Sequence, residues 1–381
     1  MDGKVLRILG TRGIPAAHGG FETFAEHLAL YLTRCGWQVT VYCQQDGVGA
    51  VHEDSWQGVR RVHIPIPVTL PGALRTIIFD WKSTLHAARE PGLVLTLGYN
   101  TAVFCVVYRL KGITNLINMD GIEWRRGKWN RLERAWLYLN ERAGCWLGNH
   151  LIADHPEIKA HLATRVAVSK ITMIPYGSDR IDHSNSEMLA QYQLQSGGYA
   201  IVIARPEPEN SVREIVAAFS RKPRGIKLVV LGKYCPGQTP YHRQVLEAAG
   251  EEVKFLGAIY DKNVVRALRF HAVFYAHGHQ VGGTNPSLVE AMGAGSAVLA
   301  HCNHFNRWVA GPAARYFEDE QQCADQLDAI LSDATVIERM RESSRKRHAA
   351  VFTWESVHEE YEGLLEKWLS RAGLGISDPT G

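Results

Sequence analysis

The 381-residue sequence has no C-x-x-C pair, and its seven cysteines, from Cys35 to Cys323, are odd in number and widely scattered. That excludes a disulfide framework or a cysteine zinc site as the organising feature and fits reduced thiols in a cytoplasm. Long apolar runs are missing as well. The longest, LVLTLGYNTAVFCVVY, is interrupted by Gly98, Tyr99 and Asn100, so no stretch is expected to span a bilayer. No secretory leader is expected either, since the chain passes directly into a strand-like run at Val5. Neither sign of charge dominates. The 42 Lys and Arg against 39 Asp and Glu leave a net charge of +3, too small to imply a nucleic-acid partner. There is no D-x-D pair to hold a divalent cation on a diphosphate, so neither metal nor cofactor is expected. No acidic residue follows a G-x-G-x-x-G at the offset a nicotinamide dinucleotide needs, which argues against a dehydrogenase.

Glycine, by contrast, is placed with purpose. In VLRILGTRGIPAAHGGFETFAEHLALYL, the run Val5, Leu6, Ile8 and Leu9, broken only by Arg7, has the character of a strand buried on both faces. From Phe21 onward, Phe24, Ala25, Leu28, Tyr31 and Leu32 fall on one helical stripe. Gly10, Gly13, Gly19 and Gly20 therefore occupy a strand-to-helix loop, where the helix directs free N–H groups and its positive end into the gap. An anion would fit there; a turn with no ligand would use the same glycines.

The remaining pattern alternates strands and helices, which implies parallel, doubly wound α/β sheets. QVTVYCQ, VRRVHIPIP, LVLTL, TNLINMDG and HLIADH form a first series; AIVIAR, KLVVLG, VKFLGAI, AVFYAH and AVLAH form a second. A length of 381 residues suits two domains. The polar, Pro- and Gly-containing stretch TMIPYGSDRIDHSNSEM marks the junction, giving a first domain at 1–180 and a second at 181–352. The helical pattern over 353–373 is expected to cross back onto the first. Ligands of such folds bind at the carboxyl ends of the strands.

Four segments carry a family resemblance: the Gly19-Gly20 loop, IPYGSD, ARPEPEN and GGTNPSLVEAMGAGSAVLA. The chain resembles, over nearly its whole length, retaining glycosyltransferases of family 4 with the GT-B fold, two Rossmann-like domains facing a cleft. Its amino-terminal motif is similar to the bacterial rhamnosyltransferases of surface-polysaccharide assembly. The resemblance implies transfer from a nucleotide sugar, dTDP-rhamnose foremost, to a saccharide or lipid-linked saccharide. A UDP- or GDP-sugar donor, a GT-B epimerase and a catalytically silent sugar-nucleotide-binding subunit are the competing readings.

Carried over residue by residue, the resemblance puts Glu290 on the nucleotide's sugar hydroxyls. The first glutamate of the family's E-x7-E pair is replaced by Gly282. Gly282, Gly283, Thr284 and Asn285 then offer backbone N–H groups and small polar side chains to the donor. Arg205 stands where the family binds the leaving diphosphate, with Lys233 or Arg213 as its basic partner and Gly19 and Gly20 opening the helix end. On the acceptor side, NMDGIEW brings Asp120 and Glu123 to a place where the family has a histidine. As carboxylates they suit a base or a hydroxyl ligand; Asp120 would equally cap a helix. His18 is a cleft residue or a loop residue.

The segment Trp124 to Arg142 interleaves Trp124, Trp129 and Trp136 with Arg125, Arg126, Lys128, Arg131, Arg134 and Arg142. Tryptophans and cations together suit an anionic membrane surface, and hence a peripheral position on the cytoplasmic face; the same tryptophans would also serve a core.

Overall fold

The computed structural model describes residues 3–17, 19–237 and 239–373; His18 lies outside the described residues. The chain divides into two compact units, residues 1–175 with 355–381, and residues 176–354.

The first unit is built on β1 (Val5–Leu9), β2 (Gln38–Asp46), β3 (His52–Trp56), β4 (Val59–Ile66), β5 (Leu93–Leu97), β6 (Asn115–Asn118), β7 (His150–Ala153) and β8 (Ile171–Met173), ordered β3-β4-β2-β1-β5-β6-β7-β8. All neighbours pair in parallel except β3 with β4. That exception is a hairpin turning through Gln57 and Gly58, both at positive φ as a two-residue turn requires. Leu6, Ile8, Val41 and Leu95 are fully buried, as strands covered on both faces must be. Arg7 interrupts β1 as a buried cation whose guanidinium donates to the carbonyls of Ala87, Glu90 and Gly92 at the end of a helix and the start of β5.

The helices of this unit are α1 (Gly20–Arg34), α2 (Gly72–Ala87), α3 (Val106–Leu110), α4 (Arg131–Leu147) and α5 (Pro156–Ala163). Right-handed crossovers from β4 through β8 put α2 to α5 on one face of the sheet and α1 on the other. The last helix packs against α1. Tyr361 tilts against Phe24 at 4.8 Å between ring centroids, and Glu362 accepts hydrogen bonds from Trp37 Nε1 at 3.0 Å and Tyr31 OH at 2.9 Å. Asn118 at the end of β6 donates to Tyr361 OH at 2.9 Å.

The second unit contains β9 (Tyr199–Ile203), β10 (Lys227–Leu231), β11 (Val253–Gly257), β12 (Phe274–His277), β13 (Ala297–His301) and β14 (Arg315–Phe317), all parallel in the order β11-β10-β9-β12-β13-β14. Tyr199, Ile201, Tyr275 and Val298 fill the layer on one face, while Ala200, Val202, Phe274, Ala276 and Leu299 fill the other. This is the two-residue alternation of a strand read into two cores. The covering helices are α6 (Val212–Ser220), α7 (Pro240–Glu247), α8 (Lys262–His271), α9 (Pro286–Gly293), α10 (His304–Ala310), α11 (Glu320–Leu331) and α12 (Ala334–Val351), and the chain then enters α13 (Trp354–Arg371), the helix that packs on α1.

Two of the three tryptophans between Trp124 and Arg142 lie off the helix. The turn Glu123–Arg125 precedes α4, which starts only after Asn130. Asn130 accepts from the N–H groups of Leu132 and Glu133 while Glu133 accepts from Asn130 N, a complete capping box. Trp124 turns inward, donating to Glu141 Oε2 at 2.7 Å, and Trp129 Nε1 is buried. Arg126 and Lys128 lie 2.7 and 3.8 Å from the Glu123 carboxylate.

Candidate active site

In each sheet the chain winds outward from one central strand and then resumes on its other side, leaving a switch point where the flanking loops part. In the second unit that point lies between β9 and β12. The loops after these strands hold Arg205 and the stretch Gly282 to Asn285, and Arg205 is exposed. The loops are joined to each other. Gln280 N donates to Glu209 O at 2.9 Å, and Gln280 Nε2 donates to Ser211 Oγ at 2.9 Å. A Cβ on Gly278 would lie 2.1 Å from Asn210 O, so only glycine permits this approach. Asn210 in turn donates to Arg205 O at 2.8 Å. Asn303 and Asn306 hold the loop from the other side through His279 O, at 2.9 and 2.8 Å.

Asn285 is the N-cap of α9 and accepts from Ser287 N at 3.0 Å. Its side chain therefore completes the helix end, while Gly282 and Gly283 leave backbone without side chains beside it. Gly282 adopts φ 145° with open space around it. Thr284 is buried. Glu290 sits in the second turn of α9 and forms an ion pair with Arg269 of α8, Nη2 to Oε2 at 2.5 Å, with a third of its side chain still exposed. Lys233 is exposed just after β10, next to Gly232, whose added Cβ would meet Ala204 O at 2.6 Å; this places Lys233 beside the Arg205 loop. Arg213 lies 4.0 Å from Glu320 on α11.

At the end of β12, His277 is fully buried, stacked on His279 at 4.3 Å and 10°, with its Nδ1 3.3 Å from Tyr275 OH and no hydrogen-bond partner at Nε2. Burial, together with His279 and His301, pushes its pKa down, so the ring is neutral.

The corresponding point of the first unit lies between β1 and β5. Gly10, at φ 83°, allows the two strand ends to meet, since a Cβ would lie 2.0 Å from Leu97 O. Gly19 is the N-cap of α1, and no side chain among the described residues caps the N–H groups that begin at Gly20. The glycine loop is tied back to α1, with Arg12 N donating to Glu22 Oε1 at 3.1 Å and Ala16 N to Glu26 Oε2 at 2.5 Å. A recess of about 220 Å³ adjoins it, lined by Arg12, Glu22, Gln44 and His63 among others.

Asp120 follows β6 in a left-handed conformation, φ 51°, with its N–H donating to Asn118 Oδ1 at 3.0 Å. It caps no helix: the next turn begins after Ile122 and has no side-chain cap. Burial, then the Glu123 carboxylate, pushes its pKa up to about 6, against the Gly121 N–H and the charges of Arg126 and Lys128. Glu123 is buried, its N–H donates to Tyr99 OH at 2.8 Å, and its carboxylate is engaged by Arg126 and Lys128. Asp120 and Glu123 are thus brought together, and so, in the other unit, are Arg205, Lys233 and the Gly282 loop. Arg269, His277 and Gly278 belong to the same neighbourhood but escape sequence reasoning; the H-G-H triplet at the end of an apolar run was the available signal.

Among the described residues no group of three or more His, Cys, Asp or Glu is arranged to hold a metal ion, and no helix is long and apolar enough to cross a membrane.

Comparison with known proteins adds the fold. Residues 3–179 match a domain of unknown function, DUF1972. No curated protein matches the chain. A sucrose-phosphate synthase from Thermosynechococcus elongatus superposes with a TM-score of 0.78 at 18% identity, over 97% of this chain and 100% of that one. The trehalose 6-phosphate synthase of Burkholderia multivorans gives 0.74 at 11% identity over 99% and 100%. HepE from Anabaena, solved in complex with UDP, gives 0.73 at 14% identity over 96% and 100%. These neighbours are GT-B glycosyltransferases, and the chain has the GT-B fold.

Proposed function

We propose that the protein is a retaining glycosyltransferase that moves a sugar, rhamnose from dTDP-rhamnose in the first instance, onto a saccharide carried by a lipid, in surface-polysaccharide synthesis at the cytoplasmic face of a membrane. The observation that carries the transferase reading is the paired-loop site at the β9/β12 switch point, where Arg205 stands free beside a side-chain-poor Gly282-Gly283 backbone and a capped helix bearing Glu290.

In this reading Glu290, oriented by Arg269, accepts hydrogen bonds from the nucleotide's sugar hydroxyls. Arg205, with Lys233 beside it, meets the negative charge that grows on the diphosphate as its bond to the anomeric carbon breaks. No metal is invoked for this charge. The missing glutamate at 282 removes one acceptor for donor hydroxyls, which suits a 6-deoxy sugar. The acceptor hydroxyl attacks on the face the phosphate leaves. Its proton goes to the departing phosphate oxygen or to Asp120, whose raised pKa matches a base working near neutral pH. Glu123, already balanced by Arg126 and Lys128, acts by holding Asp120 high rather than by taking the proton.

A UDP-sugar donor is the second reading, favoured by the likeness to HepE, which was solved with UDP and with UDP-glucose. Thermal denaturation in the presence of dTDP-, UDP- and GDP-sugars decides, because a ligand that binds only the native state raises the melting temperature. The largest shift is expected with dTDP-rhamnose, followed by slow release of free sugar. Stabilisation without any release, with or without acceptor, would leave a silent binding subunit instead.

A further inference from the structure

Among the described residues, the exposed large apolar side chains fall in the first unit with one exception, Tyr260. Most lie on three neighbouring helices. On α4, Leu132 (83% exposed), Trp136, Leu139 (63%) and Trp146 (79%) follow one another at steps of four, three and seven, a single stripe. Val103, Val106 and Leu110 (83%) form a second stripe on α3 and the turn before it, at steps of three and four. Leu74, Trp81 and Leu85 form a third on α2. The three helices cover the same side of the sheet, and their contacts are direct. The Trp81 and Phe104 rings lie 5.0 Å apart, Trp136 Nε1 donates to Asn100 O at 2.8 Å, and Val103 N donates to Asn140 Oδ1 at 3.0 Å. The apolar stripes therefore belong to one outward face, well beyond the scattered exposure ordinary for a soluble surface.

The charges around this face are of one sign. Arg109, Lys111, Arg125, Lys128, Arg131 and Arg134 are exposed between Val106 and Leu147, whereas Glu133, the one exposed acid there, is spent in the capping box. Apolar side chains with tryptophans, rimmed by cations, match the boundary between headgroups and acyl chains of an anionic bilayer. A second copy of this chain fits poorly, since a two-fold contact would set the basic rim against itself.

We propose that the outer face of α2, α3 and α4 docks on an anionic bilayer, with Leu110, Leu139 and Trp146 entering it and Arg109, Arg131 and Arg134 on its phosphates. For its purpose the proposal rests on the lipid-linked-acceptor reading; for its test it needs no substrate. The full chain is co-sedimented with vesicles of equimolar phosphatidylglycerol and phosphatidylcholine, and with phosphatidylcholine alone. Binding to the anionic vesicles is expected, and the triple change Leu110→Ser, Leu139→Ser, Trp146→Ser should abolish it with an unchanged melting temperature. Arg109→Ser, Arg131→Ser and Arg134→Ser together should weaken it about 10²-fold at low salt, and less at high salt, from roughly 1 kcal/mol per cation. Equal binding by the apolar triple variant and the parent would overturn the proposal. So would a parent that ignores both vesicles, or one that sediments as a dimer which the triple change dissociates. Nucleotide-sugar stabilisation on the same preparations keeps the two readings apart: stabilisation without vesicle binding sinks the surface alone, and the converse sinks the transferase alone.

Discussion

Helices α4 and α12 each lie over a parallel sheet, yet they offer water opposite chemistries. On α12, Arg339, Glu342 and Lys346 face out while Met340, Ser344 and His348 are buried, and Lys346 reaches Glu342 at 2.7 Å one turn away. On α4, Leu132, Leu139 and Trp146 face out, and the buried positions include Asn140 and Glu141. Glu141 is engaged there by Trp124, His161 and Arg165. A helix that spends polar groups inward and apolar groups outward is shaped by something beyond its own sheet. On the proposed function the contrast divides the work: the second unit would bind the nucleotide sugar, and the first would meet the acceptor through its apolar outer face.

That division can be broken by substitutions that should act on one side only. The largest effect is expected from Asp120→Asn, which closes the proposed route of the acceptor proton to a carboxylate; on that route turnover should fall about 10²- to 10⁴-fold while nucleotide-sugar stabilisation is kept. Loss of stabilisation in this variant would mean that the first unit also grips the donor. Arg205→Ala should cost about 10²-fold in turnover, since its partner charge grows in the transition state. Turnover near that of the parent would remove Arg205 from the chemistry. Glu290→Ala should weaken donor binding about ten- to hundredfold, the scale of hydrogen bonds to a charged group, with a smaller change in turnover at saturation. An unchanged dissociation constant would return Glu290 to a role within α9.

The pH profile gives a smaller, directional test. With the Asp120 carboxyl near 6, the reactive carboxylate falls about tenfold below its plateau by about pH 5, so kcat/KM should drop on acidification with an inflection near 6. Stability should move the other way. The raised pKa means that the native state holds more protons than the unfolded chain between the ordinary carboxyl range and 6, so Asp120 contributes less to stability as pH rises through that window. Asp120→Asn should flatten both trends, and a parent profile flat from pH 5 to 7 would contradict the assignment. Last, EDTA should leave turnover unchanged; restoration by magnesium or manganese after chelation would require a metal in the leaving-group step.

Much of the architecture was legible because buried parallel strands are continuous apolar runs. LVLTL and KLVVLG read as strands from their shortness, their β-branched residues and the glycines beside them. HEDSW, which forms β3, could not be found so: it is an exposed edge strand of charged residues, held by cross-strand pairs such as Arg60 with Glu53 and Arg61 with Asp54. The three-residue β8 and β14 fall below any periodicity. Gly19, Arg205 and Glu290 are candidates that a motif picks out, whereas Arg269 is not, since an arginine inside a helical pattern carries no sign of the carboxylate it will meet. The interleaving of tryptophans and cations over 124–136 carries no sign of which side chains share a face. N-x-x-E at Asn130 to Glu133 marks the true helix start, and it separates Trp124 and Trp129 from the outward stripe.

The assignment of α13 to the first unit has a kinetic consequence. The second unit is continuous in sequence, whereas the first must wait for a helix that begins at Trp354 and carries Tyr361 back to Asn118. Contacts of such sequence separation form late, and during synthesis a contiguous domain closes first. The second unit can therefore close while the first still lacks the support beneath Asn118 and, through it, Asp120.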